Sequence, residues 1–143
     1  MSTKTLKTKR VFVYAIYNNL RNTPPKDYPS TAEIKSTISM ILPALKEAVG
    51  GYIDLMKKAE DLAVVVQAKE TNEEESKKLV DGMNVEWKDY NKAHGNDVVE
   101  VSLDDEGLKT LKAQFERDNW GKKWLATIEE FGELLEAFAE AAK

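Results

Sequence analysis

The chain has 143 residues, a formal net charge of −4 and no cysteine. That is the length of one domain, and it excludes a disulfide framework, a thiolate nucleophile and a thiol metal site. Hydrophobic residues make up 42% of the chain, enough to bury a core. Yet no apolar run approaches the ~20 residues that span a bilayer, and Met1 to Arg10 lacks the apolar centre of a signal peptide. The expectation is a cytoplasmic protein with no membrane partner.

The modest net charge hides a split. Residues 1–30 carry Lys4, Lys7, Lys9, Arg10, Arg21 and Lys26 against Asp27 alone, giving +5, while the remainder is at −9. A basic arm beside an acidic body suits an acidic partner or a neighbouring copy of the chain. Lys4, Lys7, Lys9 and Arg10 are the candidate contacts. The same arm offers a route to nucleic acid, although the overall acidity argues against it.

In chain order, Met1 to Lys9 alternates weakly around Leu6 and reads as an extended arm or short strand. In Arg10 to Asn22, Val13, Ile16, Tyr17 and Leu20 have helical spacing, so a short helix is expected. Thr23 to Pro29 holds three prolines and reads as a stiff linker, which makes 1–29 arm, short helix and linker. Ser30 followed by Glu33 forms a capping box. From there Ile34, Ile38, Ile41, Leu45, Ala48, Tyr52, Leu55, Ala59, Leu62 and Val66 recur at gaps of three and four. This predicts one long helix over 30–68 with a stripe down one side. Pro43 predicts a kink. Gly50-Gly51 could end a helix, but the stripe passes through both in register, which favours continuity over a break at Gly50.

Thr71 with Glu74 is a second capping box, opening a helix over 71–94 whose face is Leu79, Met83, Trp87 and Tyr90. Gly95 marks its end. Val99 to Leu103 alternates with period two, so 98–103 is read as a short strand. A lone strand cannot satisfy its backbone, and its partner must be the arm around Thr5 to Lys9. Asp104, Asp105 and Glu106 suit the positive start of a helix, here 104–117, with Leu108, Leu111 and Phe115 inward. Trp120, Trp124, Ile128, Phe131, Leu135, Phe138 and Ala142 form a last stripe, predicting a long helix over 119–142. The fold expected is mainly α: a single domain over 1–143, an antiparallel helical bundle around one long helix, with a minor two-stranded β element. The 30–68 and 119–142 helices form its spine.

Chemistry is sparse. The one histidine, His94, sits where a helix C-terminus favours imidazolium, and no nucleophile, base and orienting group can be assembled around it. No glycine pattern grips phosphate. Trp87 lies in a polar helix, which makes it and Tyr90 interface candidates. No cofactor is expected.

Glu129-Glu130-Phe131-Gly132-Glu133 resembles the acidic segment of MazG-like nucleoside triphosphate pyrophosphohydrolases, an all-helical family. That resemblance implies Mg²⁺ held by Glu129, Glu130 and Glu133, hard carboxylate ligands for a hard cation. A second likeness concerns layout: a basic start, a helix with Ile16, Tyr17, Asn18 and Leu20, a long Lys/Glu/Leu-rich helix, and a strand with Val99 and Val101 opening into acidic residues. This resembles a family of small helical proteins encoded by tailed bacteriophages. It implies phage origin, the host cytoplasm, and a binding or assembly role without catalytic residues. The functional expectation is therefore a non-enzymatic binding or assembly protein, with the Mg-dependent pyrophosphohydrolase and the nucleic-acid-binding module as alternatives. The partner is a protein or a second copy. The wide apolar surface of 30–68, with Met40, Leu42, Val49, Ile53, Met56, Val64 and Val65 beside the stripe, favours a dimer.

Overall fold

A computed structural model describes residues 3–22, 32–68, 72–116 and 128–143. Its elements are β1 (Thr3–Lys9), α1 (Arg10–Asn22), α2 (Ala32–Ala48), α3 (Gly50–Gln67), α4 (Glu73–His94), β2 (Val98–Asp104), α5 (Asp105–Glu116) and α6 (Ile128–Ala142). The protein is mainly α with one two-stranded antiparallel sheet, in agreement with the sequence. The Pro-rich linker, Ser30 and the start of the predicted 119–142 helix, including Trp120 and Trp124, lie outside the described residues.

The sheet forms as the alternation requires. β1 pairs β2 with Leu6 opposite Val101 and Thr8 opposite Val99. Leu6, Val101 and Leu103 turn inward and are buried, while Lys7 and Glu100 face each other on the solvated side. The arm is thus a strand of the core, and its first residues cannot be removed without exposing Leu6.

The predicted long helix is two helices. At Val49 the backbone leaves helical space, with φ −122° and ψ 30°. Its amide donates to Lys46 O at 3.1 Å, a tightened last turn. Two successive glycines each cost a helix interior about 1 kcal/mol relative to Ala, which makes this the place to break. Spacing could not reveal it, because the stripe residues Leu45 and Tyr52 on either side of the break are both buried. Pro43, by contrast, sits inside α2 without ending it.

The break reassigns the partners. α2 packs on α1, α5 and β2, whereas α3 packs on α4. Most of the apolar surface beside the stripe is covered within the chain: Val49 is buried, and Leu42, Ile53 and Met56 pack against the core. Nor do the two predicted long helices form a spine. The principal neighbours of α6 are β1 and α5. Among its described side chains Leu134, Phe138 and Ala141 are buried, so Leu135 and Ala142 lie beside the buried stripe and not on it. Phe138 meets Phe115 of α5 with centroids 5.6 Å apart. Leu108, Leu111 and Phe115 are buried as expected.

α4 starts one residue later than its capping box predicts. Asn72 is the N-cap, its side chain accepting from the Glu75 amide at 2.8 Å. This is the ordinary cap of one orphan donor by a short polar side chain, followed by three glutamates in the first turn.

Candidate functional site

The sequence-predicted residues form three groups, two of which meet where Lys9 faces Glu133. Lys4, Lys7, Lys9 and Arg10 lie along β1 and its junction with α1, and each has an acidic neighbour in the same chain. Lys4 is 4.0 Å from Asp105, Lys7 3.5 Å from Glu100, and Lys9 3.3 Å from Glu133. Arg10 Nη1 donates to Asp97 Oδ2 and to His94 O, both at 3.1 Å. The charge split of the sequence is therefore largely spent inside the molecule, joining the strand to β2, α5, α6 and the α4–β2 turn. That leaves less of it for nucleic acid or for a second copy.

Glu129 and Glu130 lie in the first turn of α6, and Glu133 one turn on faces Lys9. No group of three or more His, Asp or Glu side chains able to hold a metal occurs among the described residues. The acidic segment is brought next to a lysine and not to a second pair of carboxylates.

Trp87 and Tyr90 come together, with partners the sequence did not single out. Tyr14 of α1 and Tyr52 of α3 stack with centroids 4.5 Å apart, and Trp87 lies 5.5 Å from Tyr14 and 5.7 Å from Tyr52. Tyr90 stands edge-on to Tyr52 at 4.9 Å and is followed by the His94 ring at 5.0 Å. Offset and edge-on arrangements are those that aromatic quadrupoles favour. The Tyr52 hydroxyl donates to Asn91 Oδ1. Burial, and then the neighbouring Tyr90 hydroxyl, push the Tyr52 pKa up to about 12. Gly51 lets Tyr90 approach, since a Cβ there would overlap the Tyr90 ring. The cluster is a mortise that fixes one end of the α3–α4 pair to α1.

At the other end no described element covers the pair. Lys58 donates to Glu86 at 2.6 Å. With Gly51 against Tyr90, this shows α3 and α4 running antiparallel as a hairpin. In that register Leu62 comes level with the Leu79–Gly82 stretch and Val66 with Glu75 to Lys78. No residue from Lys57 to Glu86 belongs to the core or packs against it, among those described. α4 has no buried residue at all. Leu79 is 44% exposed and Val80 41% exposed, on the same flank as half-buried Met83. α1 reaches only the near part of this flank, where Arg21 meets Glu60 at 3.3 Å. Helical spacing had put Leu79, Met83, Trp87 and Tyr90 on one face. It could not show that, among the described residues, the Trp87–Tyr90 half alone would pack against the core.

No helix among the described residues is long and apolar enough to cross a membrane. No family model, curated protein or solved structure matches the chain.

Proposed function

We propose that the protein is a binding or assembly protein that acts through protein–protein contact, with the far half of the α3–α4 hairpin as its contact surface. One observation carries this reading: a helical hairpin anchored at one end by an aromatic cluster presents Leu79, Val80 and Met83 where no described element covers them. Contiguous apolar surface on a soluble chain marks contact sites more often than not. A rigid base with an uncovered tip also presents that surface at little ordering cost. The likeness to small phage proteins supports the same role and would place it in an infected host cell. A second copy of the chain is one partner that such a surface would accept.

The test compares partner capture from cells by the wild type and by a Leu79→Ser, Val80→Ser double variant, whose exposed positions spare the fold. Capture of the same protein by both would refute this surface. Pyrophosphate release from a panel of nucleotides with Mg²⁺, abolished by Glu130→Gln and by Glu133→Gln, would replace the binding reading with the hydrolase.

A further inference from the structure

The charge around the uncovered face narrows what can sit on it. The far half of the hairpin, residues 59–67 and 73–83, carries Glu60, Asp61, Glu73, Glu74, Glu75 and Asp81 against Lys77 and Lys78, a net −4. That equals the net charge of the whole chain, so the rest of the molecule is balanced and the acidity is concentrated at this tip. Helical geometry puts Glu73 two turns before Val80 on one flank of α4. Among the described residues, only Glu60 of these acids meets a cation from another element, Arg21.

The shape is equally specific. Two antiparallel helices leave a shallow apolar furrow along their junction, and the commonest way to close it is a third helix laid in the furrow. Near the aromatic cluster α1 supplies that third helix, through Tyr14 and Arg21. Beyond Glu60 the antiparallel register sets Leu62 level with Leu79 to Gly82, Leu79 and Val80 are exposed and Met83 half-buried, and no third element is described there.

We infer that the far α3–α4 furrow binds a basic amphipathic helix of a partner protein, which continues the path of α1 and closes a three-helix bundle. This inference rests on the binding reading above and adds the partner's class. Apolar side chains spaced three and four apart would enter the furrow. Lysines or arginines flanking them would meet the glutamates of the α4 start and the acids near the α3 end. A second copy docking tip to tip is the weaker occupant, because it would bring two net −4 surfaces together, and like charges across an interface oppose association.

The test uses the full chain and two synthetic peptides with the same leucine spacing, one with lysine and one with glutamate at the flanking positions, measured by calorimetry. The lysine peptide should bind with micromolar affinity and weaken several-fold when salt is raised from about 0.05 to about 0.5 M, as expected where exposed charges contribute. Leu79→Ser with Val80→Ser should abolish binding, and Glu73→Lys with Glu74→Lys should weaken it at low salt while leaving the circular dichroism unchanged. Equal binding of both peptides would overturn the inference, as would binding indifferent to these substitutions or no binding at about 100 µM peptide. A concentration-dependent dimer lost in the Leu79→Ser, Val80→Ser variant would also overturn it, by making a second copy the occupant. Failure of the lysine peptide while that variant still loses its cellular partner would reject the partner class alone. Nucleotide turnover lost in the Glu130 and Glu133 variants would reject the binding reading itself.

Discussion

Tyr14 and Tyr52 lie ring on ring, 4.5 Å apart and within 20° of parallel, and this stack fastens the first helix to the third. Trp87 and Tyr90 close around it from α4. Four aromatic side chains from three helices thus hold this junction, together with the Tyr52–Asn91 hydrogen bond and the Arg21–Glu60 ion pair.

Alkaline pH should loosen that junction. The folded Tyr52 has a pKa pushed up to about 12 from 10.0, first by burial. The fold therefore favours the neutral phenol. Its stabilisation is complete below pH 10, where the unfolded tyrosine is neutral too, and is lost as pH rises towards about 12. The expected loss is ~2–3 kcal/mol across that window. Tyr14 is shifted in the same direction by burial. Tyr52→Phe should keep the stack and flatten the decline, read as urea midpoints between pH 9.5 and 12. An equally steep decline in the variant would rule Tyr52 out as its source.

Two glycines of the hairpin should answer alanine oppositely. At Gly51 a Cβ would overlap the Tyr90 ring, which is itself pinned against Tyr52. Gly51→Ala should cost ~1–3 kcal/mol and lower amide protection across α4 before β1 and β2 are affected. At Gly82 a Cβ would meet nothing within 4 Å. Gly82→Ala should stabilise by up to ~1 kcal/mol, through helix propensity alone. Thermal midpoints of the two variants moving the same way would contradict this geometry.

Truncations along the old stripe should separate core from tip. Leu45 is fully buried, and Leu45→Ala should cost ~2–5 kcal/mol. Leu62 has the same helical spacing but stands outside the core, so Leu62→Ala should cost no more than ~1 kcal/mol. Denaturant titrations of both measure the difference; similar costs would mean that the hairpin tip is packed like the centre.

Asn72→Ala should remove the cap that holds the Glu75 amide. The expected cost is about 1 kcal/mol, expressed as faster amide exchange confined to the first turn of α4. Unchanged exchange at Glu73 to Glu75 would show that the cap contributes nothing.

Much of the fold could be read from residue order, and the unreadable parts share a cause. The β1–β2 pair was legible because Val99, Val101 and Leu103 alternate and a lone strand needs a partner. α1 and α5 were legible because a short helix with one face has one way to turn. The split at Val49 was not, since a one-residue dislocation leaves Leu45 before it and Tyr52 and Leu55 after it buried. The shift of the α6 face from Leu135 to Leu134 escaped for a similar reason: adjacent leucines satisfy the same spacing, and only the position of β1 chooses between them. Trp87 and Tyr90 were singled out, but as surface contacts. Their aromatic partners come from α1 and α3, and no local pattern links Tyr14, Tyr52 and Trp87.

The strand pairing has a consequence for the order of synthesis. Thr3 pairs with Asp104, so the earlier of the two strands waits for a partner about a hundred residues downstream. At ~5–20 residues per second, that wait on the ribosome is roughly 5–20 s. Helices 1 to 4 can form meanwhile from local contacts, whereas the sheet must close a long loop. During that interval Leu6 has no strand to cover it, and the lysines at positions 4, 7 and 9 keep the nascent strand from pairing with another chain's edge. The same lysines later find Asp105, Glu100 and Glu133, all translated near or after β2, so the guard against mispairing becomes the clasp of the finished sheet.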